Sequence, residues 1–109
     1  MNSRFLAMEI QDFQQLMKEI YFHNDLKRGP YRTAMWISEE IGELMSELKK
    51  SEEIWDKNAI GEEMADVIAW IASLANLLEI DLAQAMKRKY PNKCIKCGNS
   101  PCVCEHDLL

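Results

Sequence analysis

Trp36-Ile37-Ser38-Glu39-Glu40-Ile41-Gly42-Glu43-Leu44-Met45-Ser46-Glu47-Leu48 decides the fold. Its apolar residues Ile37, Ile41, Leu44, Met45 and Leu48 recur at intervals of three and four, the spacing of one face of an α-helix. Glu40 and Glu43 lie in the same stretch, and a separation of three sets both carboxylates on one side of that helix. Glu62-Glu63-Met64-Ala65-Asp66-Val67 repeats the arrangement further along the chain, with Glu63 and Asp66 as the pair. Two such pairs on neighbouring helices can direct four oxygen ligands at one hard cation, which points to Mg²⁺ and phosphate chemistry.

Outward from this stretch, every segment reads as helix or connection. Ile10, Phe13, Leu16, Met17, Ile20 and Tyr21 give residues 9–28 a helical period. Arg28-Gly29-Pro30 ends it, since glycine suits a left-handed cap and proline cannot continue a helix. The second helix is expected from near Thr33 to Lys50, and Ser51 to Asn58 reads as a polar connection. A third helix is expected from near Ala59 to Glu79. Asp81 reads as the N-cap of a short fourth helix, Leu82 to Lys89, stopped by Tyr90-Pro91. No stretch alternates apolar and polar residues like a strand. The expectation is an all-α, four-helix bundle over residues 1–91, with a cysteine-rich tail over residues 92–109.

The acids border the apolar faces. An α-helix advances about 100° per residue. With Glu63 as origin, Leu74, Val67, Leu78, Ile71 and Met64 follow on one side, and Leu77 and Trp70 flank it on the other. Glu40 is similarly placed among Leu44, Ile37, Leu48 and Ile41, with Glu47, Trp36 and Glu43 opposite. Solvated charges on a surface helix normally face away from the apolar stripe. Carboxylates brought together at a core border lose hydration and repel, so either they retain protons or they bind a cation. Glu39, Glu47 and Glu62 read as supporting or surface acids. Trp36 and Trp70, one turn from Glu40 and Asp66, are candidates to stack on a nucleobase. Ala65, Ala69, Ala72, Ser73 and Asn76 make a small-residue face on the third helix. Burial in a homodimer would cover it, and a surface alanine face chosen for helix propensity is the other reading.

Composition narrows the class. The chain has 109 residues, enough for one domain, and 48% of them are hydrophobic, as a packed core requires. A net charge of −5 argues against nucleic-acid binding. No apolar run is long enough to span a membrane, and the N-terminus lacks the apolar centre of a signal peptide, so a cytoplasmic protein is expected. His23 reads as a surface residue.

All four cysteines fall in the tail, as Cys94-Ile-Lys-Cys97-Gly98-Asn-Ser-Pro-Cys102-Val-Cys104-Glu-His106. Cys-x-x-Cys-Gly is the form of a zinc knuckle, two thiolates in a tight turn that the glycine's positive φ permits. Tetrahedral coordination of Zn²⁺ by Cys94, Cys97, Cys102 and Cys104 is the expectation, with His106 as a spare. It would be structural, because four protein ligands leave no open position. A redox dithiol lacks a thioredoxin-like context, and an iron–sulfur site lacks the usual spacing.

Glu39-Glu40-Ile-Gly-Glu43-Leu followed by Glu63-Met-Ala-Asp66-Val resembles the signature of the MazG-like proteins, members of the all-α nucleoside triphosphate pyrophosphohydrolases. Asp25-Leu-Lys-Arg28-Gly29 is similar to that family's first loop. Leu74-Ala-Asn-Leu-Leu-Glu-Ile-Asp81-Leu is similar to the end of its third helix and the start of its fourth. The resemblance implies hydrolysis of a nucleoside triphosphate to the monophosphate and pyrophosphate. It implies Mg²⁺ held by Glu40, Glu43, Glu63 and Asp66, bridging phosphate oxygens and helping to activate water, with Glu39 as an assisting base. It also implies a homodimer or homotetramer. The chain departs from the pattern at the fourth helix, where Lys87-Arg88-Lys89-Tyr90-Pro91 arrives early. Lys87 and Lys89 are the basic residues this segment offers to a triphosphate. Phosphoribosyl-ATP pyrophosphohydrolase is a relative of similar chemistry, and a non-catalytic helical adaptor with a zinc tail is the reading from a different class.

Overall fold

The computed structural model describes residues 8–105. Among these residues four α-helices follow one another, α1 (Ile10–Arg28), α2 (Pro30–Leu48), α3 (Lys57–Leu77) and α4 (Leu82–Lys89), with a 3-10 turn at Glu52–Ile54 before α3. The described residues contain no strand. α3 is the central element, packed against both α2 and α1, and α4 lies on α1.

Local chemistry sets the boundaries. Gly29 is the whole connection between α1 and α2. Its φ of 83° and ψ of 164° belong to a region open essentially to glycine alone. Its N–H donates to Asp25 O at 2.9 Å and closes α1, while its carbonyl accepts from Thr33 N at 3.1 Å and opens α2. Pro30 therefore starts the second helix instead of delaying it to Thr33, because proline's fixed φ suits the first helical position, where no N–H is needed. α3 likewise begins earlier than expected. Asp56 accepts from Asn58 N at 3.0 Å and Ala59 N at 3.2 Å, so the N-cap falls inside the stretch read as polar connection. Trp55 turns back and donates its indole N–H to Leu48 O at 3.2 Å and Lys50 O at 2.9 Å, satisfying carbonyls at the end of α2. α4 has the expected bounds and the expected cap, with Asp81 accepting from Gln84 N at 3.1 Å.

One polar knot ties the elements at the end of α3. Gln14 donates to Asn76 Oδ1 at 3.1 Å and to Ile80 O at 2.7 Å, and accepts from Leu82 N at 3.0 Å. Asn76 returns a bond to Gln14 O at 3.1 Å. A single glutamine thus fixes α1 against both α3 and the start of α4.

The core is narrow. Met17, Ile60, Ala72 and Ala75 are the buried hydrophobic residues. The small-residue face of α3 is used within the chain, with Ala72, Ser73 and Asn76 buried on the helix that packs against α1. Further along the same face Ala69 is half-buried and Ala65 is exposed. Close helix approach is what small residues permit, and α1 is the helix that takes the opportunity. Ile41 and Met45 on α2, and Met64, Ile68 and Ile71 on α3, remain exposed instead.

Candidate active site

α2 and α3 bring Glu40, Glu43 and Glu63 together, with one carboxylate oxygen from each within 4.8 Å of the others. Glu40 and Glu63 are partly buried and Glu43 is exposed, as expected for acids at the border of an apolar face. Glu40 Oε2 and Glu63 Oε2 are shielded from solvent and have no hydrogen-bond partner. Burial, then the charges of Glu43, Asp66 and Glu63, push the Glu40 carboxyl above its ordinary value, while the Trp70 indole acts in the opposite direction. Burial also raises Glu63, followed by the charges of Glu43 and Asp66, a hydrogen bond with Glu43, and the charge of Glu47. Asp66 stands beside this triad, close enough to act on both glutamates. Glu39 does not join it, and lines a separate groove with Arg32, Met35 and Trp36. Glu62 is exposed, as read from the sequence.

The triad adjoins a cavity of about 350 Å³ between α1 and α3, lined by Met17, Tyr21, Asn24, Asp25, Arg28, Asp66, Ala69, Trp70 and Ser73. Asp25 is 1% exposed. One of its oxygens pairs with Arg28, and Oδ2 is buried without a partner. Arg28 also donates from Nε to Thr33 Oγ1 at 3.0 Å, and that hydroxyl donates to Gly29 O at 2.8 Å. The guanidinium lies over Trp70, 4.5 Å from the ring centre. Trp70 stacks on Trp36 with centroids 5.8 Å apart and planes inclined by 17°. Trp70 therefore has two ring partners inside the chain already, and Trp36 is the tryptophan with substantial exposure beside the site.

The basic residues expected at the site lie elsewhere within the chain. Lys87 lines a surface groove with Glu9, Ile10, Gln11, Ala83 and Met86. That groove belongs to the end of the bundle where Gln14 meets Asn76, and ten residues of α3, about 15 Å, separate Asn76 from Asp66. Lys89 follows on the same short helix and is exposed. Both stand on α4, an eight-residue helix that docks on α1. Arg28 is the cation that the fold sets beside Asp66.

In the tail, the four Cys Sγ atoms lie within 4.8 Å of one another. No disulfide joins them. Gly98 has φ 74°, the positive value expected of a knuckle turn, and its N–H donates to Cys94 O at 2.8 Å. Backbone N–H groups of Val103 and Asn99 hold the Cys97 thiol down to about 6, whereas hydrogen bonds with Cys102 and Cys97 push Cys104 up to about 12. His106 lies outside the described residues.

Residues 28–97 match the family model for the MazG nucleotide pyrophosphohydrolase domain, well over half of the chain. The chain belongs to the MazG family. No curated protein matches it in a sequence comparison. The MazG match spans α2, α3 and α4, and so contains all four expected acids, but it starts after Asp25 and stops before Cys102. Family membership carries nucleotide pyrophosphohydrolase as the class of activity and a nucleotide as the class of substrate. Among the described residues no helix is long and apolar enough to cross a membrane.

Sequence reading missed Asp25 and Arg28 as parts of the site. It put both on the first helix, in whose last turn they stand, but gave them no role beyond the likeness of their segment to the family's first loop. The available signal was their separation of three, which makes an acid and a base neighbours on a helix.

Proposed function

We propose that this MazG protein hydrolyses a nucleoside triphosphate to the monophosphate and pyrophosphate, with Glu40, Glu43, Glu63 and Asp66 holding Mg²⁺. The observation that carries the reading is the pair of buried, unpartnered oxygens Glu40 Oε2 and Glu63 Oε2 within one cluster of acids. Hard oxygen donors suit a hard cation, and like charges at a core border need one. When bound, the metal would neutralise charge on the phosphates during attack at the α-phosphorus. The protein's own part is to hold the polyphosphate at the mouth formed by α2 and α3. The raised carboxyls of Glu40 and Glu63 are what a bound cation would relieve, and the assisting base is assigned to the neighbouring Glu39. Asp66 belongs both to the acids and to the cavity, so the nucleoside would extend from it toward Tyr21, Asn24 and Asp25, with the exposed Trp36 available for stacking.

A homodimer or homotetramer is part of this proposal. The exposed Ile41, Met45, Met64 and Ile68 support it, because a thin core gains most from burying such residues against a second copy.

The test is incubation with Mg²⁺ and a panel of NTPs, dNTPs and phosphoribosyl-ATP, followed by assay of pyrophosphate and the monophosphate. Release from at least one substrate, abolished in Glu40→Gln and Asp66→Asn, is expected. No release from any of them, or activity indifferent to both substitutions, would sink the enzyme reading and leave the helical adaptor.

A further inference from the structure

We propose that Cys94, Cys97, Cys102 and Cys104 form a closed, structural Zn²⁺ site that folds the tail as a module separate from the nucleotide site. The acids on α2 and α3 have no part in it.

The first support is the size of the sulfur cluster. Zinc binds thiolate at about 2.3 Å, so the edge of a ZnS₄ tetrahedron is about 3.8 Å. Cys94 Sγ and Cys104 Sγ are 3.7 Å apart, and Cys97 Sγ and Cys102 Sγ are 4.0 Å apart. Both distances match that edge, and both are well beyond a disulfide bond of about 2.05 Å. Each close pair takes one sulfur from the Cys-x-x-Cys half and one from the Cys-x-Cys half. One ion would therefore bind the two halves to each other, where two separate dithiols would leave them apart.

The second support is the backbone around the sulfurs. Lys96 N donates to Cys94 Sγ at 3.4 Å, Cys104 N to Cys102 Sγ at 3.3 Å, and Val103 N to Cys97 Sγ at 3.5 Å. N–H groups directed at sulfur favour the thiolate, the form a metal requires. Cys94 N donates to Asn99 O at 2.9 Å and Asn99 Nδ2 to Cys97 O at 3.0 Å, which shapes the knuckle. On metal uptake the thiol protons pass to solvent and Zn–S bonds replace S–H bonds, with no change of oxidation state.

The third support is how little else holds the described residues of the tail. Residues 92–105 contain no helix or strand, Ile95 and Val103 are exposed, and the backbone hydrogen bonds of Cys94 and Gly98 stay within the tail. A segment this short cannot build an apolar core, and a structural metal supplies the missing stability. The family match ends at Cys97, so half of the ligand set lies outside the shared domain.

The experiment uses the full-length chain, purified under reducing conditions with equimolar ZnCl₂ and then desalted. One zinc per chain by atomic emission is expected, with all four thiols protected from a thiol reagent until a chelator is added. Replacement by Co²⁺ should give the intense thiolate charge-transfer and tetrahedral d–d bands of a CoS₄ centre. Cys102→Ser and Cys104→Ser should each lose most of the zinc while keeping the helical circular dichroism of the wild type, and His106→Ala should keep its zinc. Four reactive thiols without bound zinc would overturn the proposal, as would bound iron in zinc's place. Zinc retained in both serine variants or lost in His106→Ala would overturn the ligand set. None of these readouts depends on nucleotide hydrolysis.

Discussion

The Arg28 guanidinium stands 4.5 Å from the centre of the Trp70 ring while the same side chain pairs with Asp25. Arg28 is therefore shared between α1, which it belongs to, α3, through Trp70, and α2, through Thr33. A planar, permanently charged group with several donors can serve three partners at once, which a lysine cannot. The arrangement connects the buried acid of the cavity to the stacked tryptophans beside the clustered acids.

Removing Arg28 strands Asp25, which is almost wholly buried. Arg28→Ala should cost about 3 kcal/mol of folding stability, the usual consequence of leaving one member of a buried pair alone. Adding Asp25→Asn should recover much of that loss. Urea denaturation of the two single variants and the double variant checks both statements, and equal losses in Arg28→Ala and the double variant would contradict this account.

Gln14 is the corresponding point for the other end of the bundle. It serves Asn76, Ile80 and Leu82 together. Gln14→Ala leaves the buried Asn76 amide and two backbone groups short of partners, so a loss of about 2 kcal/mol is expected. Because the acids are about 15 Å away along α3, Mg²⁺ binding should be little changed. Calorimetric melting with and without Mg²⁺ separates the two effects.

The raised carboxyls give stability a definite pH dependence. Glu63 has its proton favoured in the folded state relative to its ordinary value of 4.5. Its protonated form therefore contributes stability that is fully present below pH 4.5 and is lost as pH rises through the higher folded value. Glu63→Gln should melt like the wild type in mild acid and above it near neutrality when Mg²⁺ is withheld. Added Mg²⁺ should raise the wild-type melting temperature and leave the variant largely unmoved, and hydrolysis by the variant should fall by about 100-fold or more. A wild-type melting temperature that climbs steadily from pH 4.5 to 8 without metal, relative to the variant, would contradict the sign.

How much of this was legible in the sequence depended on periodicity. The helices were readable because Ile37, Ile41, Leu44 and Leu48, and their counterparts in α3, repeat with the period of the helix they build. The clustering of Glu40, Glu43 and Glu63 followed from the same period. Asp56 was missed as a cap because a polar stretch rich in acids hides which one turns toward the backbone. The partner of most of the small α3 face was not legible for a related reason. A stripe of small residues states that something approaches closely, and only the packing of α1 determines what. The place of Lys87 away from the acids was not legible, because sequence counts residues along a helix but does not say which side of the bundle the helix joins.

The single-residue junction at Gly29 restricts how a ligand can enter. Enzymes often admit substrate by swinging a loop whose several residues share the rotation. Between α1 and α2 there is no such slack. Arg28 and Thr33 bridge the junction through one hydrogen bond, and Thr33 is also bonded to Gly29 itself. Movement of α1 relative to α2 therefore has to be a tilting of whole helices about the Gly29 torsions, and the longer stretch of residues 49–56 is where α3 has slack to shift.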